Sequence, residues 1–412
     1  MGWGKALFKN ILAVLLGLTL ALMALEILLR VVQPVEYRVR GNKIVLLRNK
    51  SYVFNNDKID RLDRVIYFTR NQLGFRGEPP PKNFAQTLTI LTVGGSTTEC
   101  FHISDGKAWP DLLAQRLKGK FQPLWLNNAG MDGHSTFGHL VLMKDYIVQL
   151  KPKVVLFFVG VNDRALPDYG PLDKKSLKQP AANFRLAVVD TLAQYSEIVN
   201  YAVNLSRYSK AHRGGLVHAN IDFAGLKTLD VPDDSLNSII NYHKVQYLSP
   251  YARRLQELID VSREHGIEPV FMTQPIIYGE VIDPVSGADL GRVDIGGING
   301  KVSWELMKLY NQVLRQVAAK NQVLLIDLAA EMPKSSSYFY DTAHFTNEGC
   351  RLVAQIIEPQ LTSFLAKKFP QFVIKDHPAQ ASRIGRPAGE TLENQGSEGH
   401  PLPAGPKREG GS

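Results

Sequence analysis

The chain has 412 residues, of which 44% are hydrophobic and 21% charged, with only two cysteines. This composition excludes wholesale disorder, a disulfide scaffold and an all-cysteine zinc site. Lysine and arginine outnumber the acids 48 to 39 for a formal charge of +9, an excess that suits an anionic membrane surface or nucleic acid according to where the charges sit.

At the N-terminus, Lys5 and Lys9 precede a charge-free apolar run over 11–25, followed by Glu26, three aliphatic residues, Arg30, Val31 and Val32, with Pro34 ending the pattern. As a helix, residues 6–32 are long enough to cross roughly 30 Å of hydrocarbon, with Glu26 and Arg30 four apart on one face. A transmembrane anchor and a cleaved signal peptide both fit; no Ala-x-Ala site follows the core, which favours the anchor. Charge counting, with Arg30, Arg38, Arg40, Lys43 and Arg48 after the run, would face the main domain to the cytoplasm. The signal-like shape argues for export, and the expectation is an extracytoplasmic domain on a single-pass membrane anchor. Residues 35–85 are expected to form a small, irregular or β-rich juxtamembrane cap. The basic cluster beside the anchor points to membrane lipid as a partner. No aromatic-interleaved basic motif supports nucleic acid.

Beyond the cap, apolar runs over 88–93, 124–127, 154–159, 269–273 and 323–326 read as buried parallel strands. Helical periodicity over 109–117, 137–150, 251–265, 302–319 and 348–367 falls between and after them. The alternation specifies an α/β domain over 86–370 whose parallel sheet is covered on both faces. Residues 164–246 are too long for a simple loop; they include a helical stretch over 181–201 and are expected as an insertion forming a lid. Residues 377–412, rich in Pro, Gly, Ser, Glu and Arg, read as a disordered tail.

In such sheets ligands bind beyond the carboxyl ends of the strands, and polar residues collect there. Gly94-Gly95-Ser96-Thr97 follows the first strand, and Gly133-His134 the second. Gly160-Val161-Asn162-Asp163 follows the third, and Asp341-Thr342-Ala343-His344 the fifth. Each piece alone is weak, since a Gly-Gly-Ser turn is usually only a turn. Together and in this order they supply a nucleophile, a base, an orienting carboxylate and donors for developing negative charge.

These four blocks resemble those of the SGNH (GDSL-type) hydrolases, and Asn71-Gln-Leu-Gly-Phe-Arg-Gly77 is similar to a segment of membrane-anchored bacterial members. The resemblance implies a flavodoxin-like three-layer α/β/α sandwich with a five-stranded parallel sheet. It implies Ser96 as nucleophile, His344 as general base and Asp341 as its orienting carboxylate. Ser96 N–H, Gly133 N–H and the Asn162 amide would form the oxyanion hole. Gly95 and Thr97 depart from the family's Gly-Asp-Ser-Leu block while keeping the turn and the nucleophile. The implied function is a membrane-anchored serine esterase, acting without metal or cofactor on acyl or acetyl esters of envelope carbohydrate or lipid. An O-acyltransferase of an envelope polysaccharide and an inactive glycan-binding scaffold are the alternatives.

Other residues invite readings of their own. His102, His134 and His139 lie on different elements without metal-ligand spacing. Cys100 and Cys350, four residues after Ser96 and six after His344, would either approach within disulfide reach or remain buried thiols. The glycine-rich 291–300 segment lacks a P-loop pattern and reads as a flexible rim loop. Asn204-Leu-Ser206 matches a glycosylation sequon. Oligomeric state is not legible.

Overall fold

The computed structural model describes residues 2–33, 35–41, 43–166, 184–213, 218 and 220–375. Helix α1 (Gly2–Val32) opens the chain. Within it Ala6–Val32, with a mean hydropathy of 2.6, is long and apolar enough to cross a membrane, a pattern a signal sequence shares. Two antiparallel hairpins follow: β1 (Val39–Arg40) with β2 (Lys43–Ile44), and β3 (Lys50–Asn55) with β4 (Val65–Arg70). Side chains of β3 and β4 alternate in exposure, as strands with one wet face do.

The core sheet contains β5 (Leu88–Gly94), β6 (Leu124–Asn128), β7 (Val154–Phe158), β8 (Glu268–Met272) and β9 (Leu324–Ile326). All five are parallel, in the order β6-β5-β7-β8-β9. Every residue of β5 and β7 is buried, which is why both read as unbroken apolar runs rather than alternating ones. The order reverses between β5 and β7, and that switch point opens a crevice at the strands' carboxyl ends.

Around the sheet run α2 (Ser96–Glu99), α3 (Trp109–Lys118), α4 (Thr136–Leu142), α5 (Val148–Leu150), α6 (Phe184–Tyr195), α7 (Glu197–Arg213), α8 (Asp233–Gln246), α9 (Leu248–Glu264), α10 (Gly300–Lys320), α11 (Leu328–Glu331) and α12 (Asn347–Lys368). Helices α3 and α12 pack on one face, and α4, α9 and α10 on the other, giving the three-layer α/β/α architecture. Burial explains the helices: α9 buries Tyr251, Leu255, Leu258, Ile259 and Ser262, a single face at three- and four-residue spacing. Side-chain caps fix the starts of α4 (Ser135), α10 (Asn299) and α12 (Thr346) by accepting from early backbone N–H groups.

The structure refines several expectations. The helix over 137–150 is divided: a π-helical turn, Met143–Ile147, joins α4 to α5. The stretch over 181–201 starts among residues outside the described set and breaks at Ser196, whose hydroxyl accepts from Val199 N–H and starts α7 as a separate helix. Helix α8 was not anticipated. The 35–85 segment is no separate body, because the described residues as far as Ile374 form one compact unit. Arg76 exchanges both backbone hydrogen bonds with Asn128 at the end of β6, so the segment continues the sheet edge. The sequon's Asn204 lies on α7 with its amide donated to the Val39 and Asn200 carbonyls. The 291–300 segment is anchored by backbone bonds from Leu229 to Arg292 and from Asp294 to Lys227, so it is a braced connection rather than a loose rim. The tail over 377–412 lies outside the described residues.

Candidate active site

Ser96 is the first residue of α2, placed by the sharp turn that ends β5. Its Oγ stands 2.7 Å from His344 Nε2. His344 lies just before α12, and its Nδ1 is 2.7 and 2.8 Å from the two carboxylate oxygens of Asp341. Asp341 Oδ1 also accepts from the backbone N–H groups of Ala343 (3.0 Å) and His344 (2.9 Å), so the carboxylate is held from two sides. Burial alone would raise its pKa, yet the His344 charge and these hydrogen bonds hold it below the usual carboxylate range.

The donors expected for an oxyanion lie on the turns that follow β5, β6 and β7. Gly133 has φ +75°, a left-handed turn that glycine adopts without cost. Neither Ser96 N–H nor Gly133 N–H has a backbone acceptor among the described residues. Asn162 reaches in from the 3₁₀ turn after β7 and donates one Nδ2 hydrogen to the His134 carbonyl at 3.0 Å. A Cβ on Gly95 would stand 2.5 Å from Asn162 Nδ2. The departure from Asp at this position therefore leaves the Asn162 amide room beside the nucleophile. Asp163 carries the turn. Buried, it accepts from Thr136 N–H and Oγ1–H and from Arg254, tying the Asn162 turn to the start of α4.

Residues from three further segments close around the histidine. Tyr340 stacks on the His344 ring at 5.6 Å. On the insertion, His218 places its ring centroid 4.1 Å from that of His344. Its Nδ1 bonds the Tyr340 hydroxyl at 2.9 Å, and its Nε2 faces Asp132 Oδ1 at 3.6 Å. Burial alone would lower the His218 pKa, but the Asp132 carboxylate raises it above the usual histidine value. Asp132, likewise opposed by burial, is held well below the carboxylate range by His218 and Arg38. Its backbone N–H donates to Glu99 Oε2 at 2.6 Å, and fully buried Glu99 also pairs with Arg70 and Arg38. Nothing in the sequence marked His218, Tyr340 or Asp132, and Arg38 read only as part of the basic cluster beside the apolar helix. They belong to an irregular segment, a loop or the cap, and only folding brings them to the site.

The Asn71–Gly77 motif, by contrast, now has a physical role. Arg76, 1% exposed, donates to the carbonyls of Glu99, Cys100 and Ile103 and pairs with Asp105. It thereby caps the end of α2, the helix that presents Ser96.

The three histidines weighed as metal ligands do not form one site. His102 packs against Phe54, Phe101 and His218, while His134 and His139 neighbour each other. Burial pushes His102 and His134 down to about 4, and both stay neutral near pH 7. Among the described residues, the one cluster with ligand atoms close enough for a metal is His218, Asp341 and His344. Both ring nitrogens of His344 are already engaged with Asp341 and Ser96, so an ion there would have to displace one of them. Cys100 and Cys350 are buried free thiols. Burial, with Cys100 beside it, raises the Cys350 thiol well above its ordinary value.

A model of the GDSL-like lipase/acylhydrolase family matches residues 92–352, a span that holds all five residues singled out above. Solved structures with which the chain aligns include an acetyl xylan esterase (18% identity, TM-score 0.35, 65% of this chain and 96% of that one). An acetylxylan esterase from Geobacillus stearothermophilus aligns at 15% identity and TM-score 0.37, over 66% of this chain and 93% of that one. An alpha/beta hydrolase from the metagenome of Lake Arreo, Spain, aligns at 15% identity and TM-score 0.36, over 67% and 93%. Among curated proteins no match is found.

Proposed function

This chain belongs to the GDSL-like lipase/acylhydrolase family of ester hydrolases, and from that premise we propose a serine esterase tethered by α1 and acting on O-acyl groups of envelope carbohydrates or lipids. In this reading 6–32 is the anchor, 35–85 the cap and 86–370 the hydrolase domain. The observation that carries it is the unbroken relay from Ser96 Oγ through His344 to Asp341, with the Ser96 N–H lacking a backbone acceptor. A serine hydroxyl is a poor nucleophile until a base takes its proton during attack. His344 Nε2 takes it as Ser96 Oγ bonds to the ester carbonyl carbon, and the Asp341 carboxylate stabilises the resulting imidazolium. The carbonyl oxygen, now negative, accepts from Ser96 N–H, Gly133 N–H and the second Asn162 Nδ2 hydrogen, a contribution of about 3–4 kcal/mol per donor in such sites. The alcohol leaves with the proton from Nε2. Water, deprotonated by the same nitrogen, then releases the acid from Ser96.

The test is covalent labelling with a fluorophosphonate. Label should map to Ser96 and vanish in Ser96→Ala; label that persists in that variant refutes the assignment. The site also favours a second reading, acyl transfer, because His218 sets another imidazole, paired with Asp132, against His344. An acceptor hydroxyl bound there would compete with water for the acyl group. With an added glycan, transfer would yield more acylated glycan than free acid, and hydrolysis the reverse.

A further inference from the structure

The insertion contains a helical hairpin that is amphipathic in the wrong direction for a water-soluble surface. On α6, Val188, Val189, Leu192 and Tyr195 form one stripe, 39–72% exposed. On α7, Tyr201 and Leu205, four apart, are 37% and 53% exposed. Four polar side chains of the same helices, Asp190, Glu197, Asn200 and Arg207, are buried or half-buried instead. Asp190 faces Arg207 at 3.8 Å, Arg207 donates to the Gly41 carbonyl, and Glu197 pairs with Arg40. A surface helix normally buries its apolar stripe and wets its polar face; here the arrangement is reversed.

The hairpin is also fixed to the end of the apolar helix. Glu26 of α1 accepts from Ser196 Oγ and from the N–H groups of Glu197 and Ile198, capping α7, while Arg30 donates to the Tyr195 carbonyl. Glu26 stands at the boundary where the charge-free run ends, so these bonds fix the hairpin corner to the end of that run. A cleft of about 390 Å³ opens at the same junction, lined by Leu29 and Val32 of α1 together with Arg40 and Glu197.

We propose that the α6–α7 hairpin is a second membrane contact, lying in the bilayer interface with its Val/Leu/Tyr stripe among the acyl chains beside α1. The occupant is lipid, because α7 packs against a helix of membrane-spanning length and the hairpin is flanked by the exposed Lys43 and Arg48, which suit anionic headgroups. Tyrosines at the corner match the amphipathic residues favoured at that depth. The insertion that carries His218 to His344 would then be seated on the membrane, so the mouth of the site faces the interface. The proposal rests on α1 being a membrane anchor.

The test uses the full chain in phosphatidylcholine vesicles. The two native thiols are buried, so an environment-sensitive fluorophore can be attached through Leu192→Cys, Leu205→Cys or, as a control on α8, Val245→Cys. Vesicles containing a nitroxide-labelled phosphatidylcholine should quench the first two probes by about half or more and leave the third nearly unchanged. Quenching at Leu192 and Leu205 no greater than at Val245 overturns the proposal. So does a blue-shifted probe that resists nitroxide, since protein rather than lipid then covers the face. Flotation separates the premises: a chain that floats with vesicles after alkaline extraction but shows no quenching refutes the hairpin contact alone. A chain that is stripped off refutes the anchor and the hairpin contact with it.

Discussion

Replacing Asp341 by Asn tests the relay most sharply, because the structure dictates how the new amide must sit. Oδ1 of Asp341 accepts from two backbone N–H groups, at 3.0 and 2.9 Å, so the amide oxygen of the variant is compelled to take that place. Its NH₂ group then falls where Oδ2 now stands, 2.7 Å from His344 Nδ1. A donor there competes with the amide oxygen, itself 2.8 Å from Nδ1, and favours the tautomer with Nδ1 as acceptor and the ring proton on Nε2. That nitrogen can no longer take the proton from Ser96 Oγ at 2.7 Å. The loss expected for a wrong tautomer at intact geometry is about 10⁴-fold in kcat, or roughly 5 kcal/mol of barrier. The assay is hydrolysis of p-nitrophenyl acetate by the full chain in detergent micelles, with circular dichroism verifying the fold. Activity within tenfold of the parent, in a folded variant, would refute the relay.

Four other expectations follow from particular contacts. Gly95→Ala sets a methyl against Asn162 Nδ2, a side-chain tip that can swing away, so the protein stays folded while kcat drops by about 10²-fold; unchanged kcat would remove Asn162 from the oxyanion site. Arg76→Met removes one donor from each of three buried carbonyls, leaving that of Cys100 with only the Ile103 N–H, and breaks the pair with Asp105, for a loss of about 3–5 kcal/mol in urea unfolding. Asp132→Asn removes the charge that holds a proton on His218, so by histidine NMR His218 should titrate at a lower pH than in the parent. Asp283, which burial would raise, is instead lowered to about 2 by hydrogen bonds from Ser286 and Ser336. Because its folded value lies below its unfolded one, its contribution is complete above pH ~4 and fades as pH falls toward 2. The parent's stability should drop through that window by about 2 kcal/mol more than that of Asp283→Asn.

The parts legible in the sequence are those that physics encodes locally. Strands buried on both faces must be apolar throughout, so β5 and β7 stand out as unbroken runs, and amphipathic α9 and α10 declare themselves by spacing. The meeting of Ser96 with His344 and Asp341 was readable because their segments lie beyond the carboxyl ends of strands, and a parallel sheet gathers the ends of its strands at one edge. The break at Ser196 was not, because a serine inside a helical pattern becomes a cap only when a partner such as Glu26 accepts from the next N–H groups. Nor was the service of Arg76 to the carbonyls of α2, although its motif was visible. Sequence alone thus determined the sheet, the loops at its carboxyl edge that bring Ser96 to His344, and the apolar N-terminal helix. Tertiary structure decided that His218 of the insertion meets His344, that Arg38 of the cap reaches Glu99 and Asp132, and that the α6–α7 hairpin turns its apolar stripe outward. Those contacts join segments tens to hundreds of residues apart, and no local periodicity records which distant surface a side chain will meet.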